Sequence, residues 1–76
     1  MTLDELPIGE SAVICSVGGE GALRCRFLDM GLIPKTTIRV EKIAPLGDPI
    51  ELRVRDYALS LRKEDARNIS VEVRQA

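Results

Sequence analysis

The side chains that could carry out chemistry in this 76-residue chain are twelve carboxylates and two cysteines, because the sequence contains no histidine. Cys15 and Cys25 lack the close CxxC spacing that marks a zinc site. Without imidazole the chain lacks the commonest transition-metal ligand and the general base of an acyl-transfer triad. The acidic pairs at 4–5 and 64–65 lie in polar segments with no apolar pocket signature. We therefore predict no enzyme activity, no dedicated metal site and no cofactor, and leave open a weakly bound divalent transition metal.

The cysteines and the start of the chain indicate the compartment. The opening residues, MTLDELPIGESAV, have neither the basic start nor the apolar run of a secretory signal. No stretch approaches the roughly 18 apolar residues of a membrane span. We expect a cytoplasmic protein that does not insert into the membrane, with Cys15 and Cys25 as two buried free thiols rather than a disulfide.

The charge pattern bears on nucleic-acid binding. The formal net charge is −1, with three basic and five acidic side chains in residues 1–38 and eight basic and seven acidic in residues 39–76. A nucleic-acid binder usually has a basic excess and stacking aromatics, and this chain has one Phe and one Tyr. Arg53, Arg55 and Arg62 leave a nucleic-acid-binding small barrel as an alternative, but we expect no nucleic-acid partner.

Hydrophobic alternation predicts a mainly β domain over residues 1–76, since five short runs alternate between apolar and polar side chains. These runs are SAVICSV, IPKTTIRVEKIAPLG, PIELRVR, ALSL and ISVEV. SAVICSV is fairly apolar on both faces, so we expect its strand to be covered on both sides. The alternation slips by one at Lys42, which predicts a bulge there. A small closed barrel removes exposed strand edges, and an open α+β sheet is the alternative.

One helix is predicted after the first strand, in GALRCRFLDMG, and a single helical turn before the last strand, in RKEDARN. Leu23, Phe27 and Met30 form one apolar stripe at helical spacing. Gly31 is placed as a left-handed C′ residue, with Leu32 contacting Phe27 in a Schellman ending.

The segment from Pro45 to Pro49 predicts a chain reversal between two strands. Gly47 can adopt a positive φ, Asp48 can hydrogen-bond its own backbone, and Pro49 suits a strand start.

Three segments of the chain resemble the FeoA family, small proteins encoded with the ferrous-iron transporter FeoB. These segments are LRCRFLDMGLIPKTTIRV, APLGDPIELRVRDYALSLR and EDARNISVEV, in the family's order and spacing. The resemblance runs from about Leu3 to Val73. It implies an SH3-like barrel, a fold that also occurs as the C-terminal domain of DtxR-type repressors.

Two positions depart from the family's pattern, which tends to have glycine where this chain has Lys35 and Asp56. We expect Lys35 to lie in a type I turn without positive φ. We expect Asp56 to take the left-handed conformation that aspartate tolerates.

The resemblance implies an accessory protein of ferrous iron uptake that docks on the cytoplasmic side of a FeoB-type membrane GTPase transporter. The predicted contact surface joins the helix end to the chain reversal. Its residues are Leu28, Met30, Leu32, Leu46, Gly47, Asp48 and Pro49. The alternative for Leu46 is that it caps the barrel. A metal-sensing regulatory domain of the DtxR C-terminal type is the alternative function, and weak self-association through strand edges stays open.

Overall fold

A computed structural model describes residues 1–73 and shows a five-stranded antiparallel sheet in the order β4-β3-β2-β1-β5. A 3₁₀ turn at Leu3–Glu5 precedes the sheet. The strands are β1 Ser11–Val17, β2 Thr37–Ile43, β3 Ile50–Val54, β4 Tyr57–Leu61 and β5 Ile69–Val73, and the helices are α1 Ala22–Asp29 and α2 Lys63–Ala66. The predicted mainly β class, with one helix after the first strand and a helical turn before the last, is confirmed. Within residues 1–73, no helix has the length and apolarity needed to cross a membrane.

The alternation of buried and exposed side chains in β1 is interrupted partway along the strand. Ala12, Ile14 and Val17 are buried, so the interval between inward side chains lengthens from two residues to three. The register against β5 shifts between Ile14 and Ser16, which is the mark of a bulge. Cys15 follows the inward-facing Ile14 and therefore points to the other face of the sheet, where Cys15 and Ser16 are exposed to solvent. The expectation that β1 is covered on both sides is therefore wrong.

Both cysteines are free and exposed, so the prediction of buried thiols is also wrong. Cys15 lies on the solvent-facing side of β1, opposite to Ile14. Cys25 lies two positions before the fully buried Phe27 on α1. Two helical positions are about 200° apart around the axis, so Cys25 lies on the opposite, solvent-facing side.

The β2–β3 hairpin follows the predicted pattern. Its register shifts between Val40 and Lys42, which confirms the bulge expected from the slip in alternation. β3 buries Ile50, Leu52 and Val54 and alternates cleanly between inward and outward side chains.

The end of α1 is a Schellman motif, as predicted. The Leu32 N–H donates to the Phe27 carbonyl at 3.1 Å, and the Gly31 N–H donates to the Leu28 carbonyl at 3.0 Å. Gly31 has a φ of 91°, which glycine adopts without strain. Phe27 and Leu32 are both fully buried, so this helix end supplies the centre of the core.

Two turns depart from expectation. The Thr36 N–H donates to the Ile33 carbonyl at 3.1 Å, and Lys35 has a φ of 77°. With Pro34 before it, this is the type II turn that favours glycine at the Lys35 position, so the predicted type I turn is wrong. In the β3–β4 hairpin the positive φ of 58° falls on Arg55 and not on Asp56.

The first residues of the chain cover the outer edge of β5. The Val71 N–H donates to the Met1 carbonyl at 2.8 Å, and Thr2 forms an isolated bridge with Ser70. The Thr2 backbone N–H donates to the Glu5 carboxylate at 2.9 Å, and the Thr2 hydroxyl donates to it at 3.0 Å. These bonds, the backbone bond first, lower the pKa of Glu5. This arrangement holds the N-terminal segment on the sheet.

Candidate functional site

The β2–β3 connection, residues 44–49, is called the corner below. The Gly47 N–H donates to the Ala44 carbonyl at 2.7 Å, and the Ala44 N–H donates to the Pro49 carbonyl at 3.0 Å. Gly47 has a φ of 87°, which closes this tight turn. Leu46 lies at its tip with 96% of its surface exposed. The structure therefore rules out the reading in which Leu46 caps the barrel.

Asp48 anchors the corner to a distant element. Its carboxylate Oδ1 accepts a hydrogen bond from the Lys63 N–H at 2.9 Å. Lys63 is the first residue of α2, whose N-terminal N–H groups have no partner within the helix, and the Arg62 side chain does not cap it. The predicted bond from Asp48 to its own backbone is thus replaced by a cap on α2. The corner is fixed at its base and also to the segment between β4 and β5.

A shallow groove of about 330 Å³ lies beside the corner. It is lined by Lys42, Ile43, Ala44, Pro45, Pro49, Glu51 and Ser60. Lys42 pairs with Glu51, and Glu51 pairs with Ser60, so these three side chains form a row across β2, β3 and β4. The groove offers an apolar wall next to one cation and one anion. This chemistry suits a segment of a protein partner with mixed apolar and charged side chains.

The helix end of the predicted surface is partly covered. Leu28 and Met30 are half-buried against the core, and Leu32 is fully buried. The Tyr57 hydroxyl donates to the Met30 carbonyl. Tyr57 also lies so close to Gly31 that a Cβ there would clash with its hydroxyl. Leu32 therefore does not lie on the surface, because it makes the core contact of the Schellman motif.

The structure does not bring the two halves of the predicted surface together. The corner ends immediately before Ile50, at the start of β3. Tyr57, which covers the helix end, pairs with Val54 at the other end of β3. Four strand steps separate the two positions by about 13 Å. Leu46, Gly47, Asp48 and Pro49 thus form one candidate contact surface, and Leu28 and Met30 lie outside it.

The carboxylates and thiols do not converge. Within residues 1–73, no group of three or more His, Cys, Asp or Glu side chains is placed to hold a metal ion. The acidic side chains are instead engaged with basic ones in several places. Asp65 contacts Arg26 at 3.3 Å, and Asp4 contacts Arg67 at 3.6 Å. These pairs join the helices and the 3₁₀ turn to one another.

Comparison with known proteins identifies the family. The family model described as "FeoA domain" matches residues 1–73. An Fe(2+) transport protein A/Fe(2+) transporter FeoB fusion protein from Porphyromonas gingivalis is 49% identical over 73 residues. That match covers 96% of this chain but only 9% of the fusion protein, so the chain spans a small part of that relative's length.

Two solved structures share the fold. An NMR structure of a FeoA-like protein from Clostridium acetobutylicum is 41% identical, with a TM-score of 0.91, and the match covers 100% of this chain and 88% of that one. A crystal structure of Stenotrophomonas maltophilia FeoA complexed with zinc, described as a prokaryotic SH3 domain protein, is 30% identical. Its TM-score is 0.83, with 95% of this chain and 89% of that chain covered. The SH3-like barrel expected from the sequence is confirmed, and the chain belongs to the FeoA family.

Proposed function

We propose that this chain is a cytoplasmic, non-enzymatic accessory protein of ferrous iron uptake that acts by binding a FeoB-type membrane GTPase transporter. The observation that supports this most strongly is the fusion relative, in which a region 49% identical to this chain is joined to an Fe(2+) transporter FeoB. Joining two units in one chain raises their effective concentration by orders of magnitude. Such a linkage favours units that work in contact with each other.

The corner is the surface that we propose for this contact. A single exposed leucine is ordinary on a protein surface. Leu46 differs because the turn hydrogen bonds and the Asp48–Lys63 bond hold the backbone beneath it. A backbone that is already held in place loses little conformational entropy on binding, so more of the burial energy of Leu46 appears as affinity.

The groove beside the corner supplies specificity. Lys42 and Glu51 occupy paired positions on β2 and β3, and both line the groove. A partner segment with a carboxylate toward Lys42 and a basic group toward Glu51 is therefore favoured over one with the opposite arrangement of charges. The proposed role of this chain is therefore to recognise a surface of the transporter and adjust its transport or nucleotide turnover.

Isothermal titration calorimetry of this chain against the soluble cytoplasmic domain of a FeoB-type transporter tests the proposal. Each titration is run without nucleotide, with GDP and with a non-hydrolysable GTP analogue. We expect a complex in at least one nucleotide state. The absence of a detectable complex in all three states would show the proposal to be wrong.

Leu46→Glu tests the corner itself. Burying one leucine side chain is worth about 1.5–3 kcal/mol, so the variant should raise the Kd by about 10- to 100-fold. Ile8→Glu is the matched control, since Ile8 is also an exposed apolar side chain, at 58%, and does not line the groove. Equal weakening by both variants would show that the corner is not the specific contact.

A metal-sensing role is the second candidate, favoured by the zinc complex of the Stenotrophomonas maltophilia relative. In this chain the exposed thiols Cys15 and Cys25 are the strongest available donors. Titration of the reduced protein with zinc, with Cys15→Ser and Cys25→Ser as controls, tests it. Binding that both variants abolish would support this role, and binding unchanged in both variants would assign the ion to carboxylates.

A further inference from the structure

β4 is an unpaired edge of the sheet. It pairs with β3 on one side and ends the strand order on the other. Within residues 1–73, its backbone makes no hydrogen bond to any segment other than β3. The opposite edge of the sheet, β5, is covered instead by Met1 and Thr2. One edge of this sheet is therefore protected, and the other can receive a strand.

The turn between β3 and β4 decides which groups of β4 face outward. Val54 and Tyr57 bracket a two-residue loop and form the closing, hydrogen-bonded pair of the hairpin. Hydrogen-bonded and non-hydrogen-bonded pairs alternate along an antiparallel ladder. Leu59 is therefore bonded to β3, whereas the N–H and C=O groups of Ala58 and Ser60 point away from it.

The sequence of β4, Tyr-Ala-Leu-Ser-Leu, lacks the usual protection of an edge strand. It contains no charge and no proline, and its pairing with β3 shows no register shift. Proteins normally use such features to prevent edge-to-edge pairing. Within residues 1–73, the β4 edge is therefore open to a further strand and lacks the features that usually prevent such pairing.

We infer that the strand is β4 of a second copy of this chain, paired antiparallel about a twofold axis at Leu59. In that register Ala58 lies opposite Ser60 of the second copy, and Ser60 lies opposite its Ala58. These are the two residues whose backbone groups face outward, so each pair exchanges both of its hydrogen bonds. The twofold symmetry satisfies every outward-facing group of Ala58 and Ser60 on both copies.

The side chains fit the same register on both faces of the sheet. Leu59 is half-buried, and its counterpart lies directly opposite in a non-hydrogen-bonded pair, where side chains approach most closely. On the other face, Arg53 pairs with Ala58 and Glu51 pairs with Ser60. The twofold axis therefore places Arg53 in the same cross-strand row as Glu51 of the second copy, with only small side chains between them.

The expected dimer is weak, because pairing of two five-residue strands buries less than the roughly 1,200 Å² of a standard interface. Sedimentation velocity from 10 μM to 1 mM should show a shift from monomer toward dimer. Amide exchange followed by NMR locates the contact. We expect the Ala58 and Ser60 amides to exchange on the order of fivefold more slowly at 1 mM than at 10 μM. The Leu59 amide, bonded to β3 in both states, should stay protected throughout.

Two double variants test the register. In A58K/S60K, the lysine at position 58 of each copy lies directly opposite the lysine at position 60 of the other copy. In A58E/S60K, the same positions hold opposite charges, and each new charge also lies beside an opposite charge on β3. Because like charges repel and opposite charges attract across paired strands, the dimer Kd of A58K/S60K should be about tenfold higher than that of A58E/S60K. Circular dichroism at 10 μM verifies that both variants are folded.

Three results would overturn the inference. The first is a protein that stays monomeric at 1 mM and whose Ala58 and Ser60 amides exchange at the same rate at 10 μM and 1 mM. The second is equal dimer affinity for both double variants. The third is a monomer whose Ala58→Lys variant, which leaves the groove residue Ser60 unchanged, loses binding to the transporter domain, since this would assign the β4 edge to that partner. Leu46→Glu should leave self-association unchanged, so failure of the corner proposal and failure of this one are distinguishable.

Discussion

Replacing Lys35 with glycine should stabilise the protein, because this lysine occupies a backbone conformation that disfavours side chains. Its φ is 77°, at the third position of a type II turn after Pro34. The turn is held in place from two directions. The Thr36 N–H bonds to Ile33 at 3.1 Å, and the Lys35 N–H bonds to Ile14 at 2.7 Å. A substitution at Lys35 therefore leaves the backbone where it is.

The expected change in the free energy of unfolding is the difference between two opposing contributions. A Cβ in the left-handed region costs about 1–2 kcal/mol, and glycine removes that cost. Glycine also gives the unfolded chain more freedom, which costs about 0.5–1 kcal/mol. The net gain is about 0.5–1 kcal/mol, since the exposed Lys35 side chain contributes little packing. For a domain of this size that corresponds to a rise in Tm of about 2–8 °C.

Thermal unfolding followed by circular dichroism measures the effect, with Lys35→Ala as the control. Alanine removes the charged chain but keeps the Cβ, so its Tm should stay near that of the starting protein. If Lys35→Gly melts no higher than Lys35→Ala, backbone strain at this turn is not the explanation.

Three further predictions concern the corner, the helix end and the N-terminal segment. Leu46→Glu should leave the Tm unchanged in thermal unfolding, because the side chain is 96% exposed; a fall of more than a few degrees would show that it packs against the barrel. Tyr57→Phe removes the hydroxyl bonded to the Met30 carbonyl and should lower stability by about 0.5–1 kcal/mol in urea unfolding; an unchanged midpoint would show that the bond contributes nothing. The lowered pKa of Glu5 means that its stabilising effect is complete above its unfolded pKa of 4.5 and is lost as pH falls through the lower folded pKa. Glu5→Gln should therefore lose less stability than the starting protein between pH 6 and pH 3, and identical losses would contradict that.

The parts of the fold that the sequence predicts correctly are those set by local patterns. The apolar and polar side chains of β3 alternate without interruption, so the sequence shows directly which face of the strand is buried. The bulge in β2 shows as a slip in that alternation near Lys42. Gly31 and Leu32 mark the end of α1 because a Schellman motif needs residues of these types at these positions.

The parts that the sequence does not predict depend on distant segments. The bulge in β1 leaves no trace, because both faces of this strand are apolar and a change of face does not alter the pattern. Since both faces are apolar, the sequence also does not show that Cys15 lies on the exposed face. Lys35 adopts a positive φ in a turn whose backbone is bonded to Ile14 of β1, and the lysine itself gives no sign of that conformation.

The candidate site also combines features that the sequence predicts with features that depend on distant segments. The turn at residues 44–49 is evident from its prolines and glycine, but the exposure of Leu46 depends on where the barrel ends. Asp48 and Lys63 are 15 residues apart in the chain, so no local capping pattern links them. The groove is likewise assembled by side chains from three strands and the corner. Sequence could place the corner but could not show that it is anchored.

The two proposed surfaces are compatible on one molecule, and their geometry makes this testable. Antiparallel pairing about Leu59 directs the two corners toward opposite ends of the combined sheet. Ser60 belongs both to the groove and to the β4 edge. In the paired form it gains only the small Ala58 side chain of the second copy, which leaves the groove open. Each copy should therefore bind one transporter domain whether or not it is paired, and the calorimetric stoichiometry should stay at one per chain from low to high concentration. A stoichiometry that falls as self-association rises would mean that the two contacts compete for the same face.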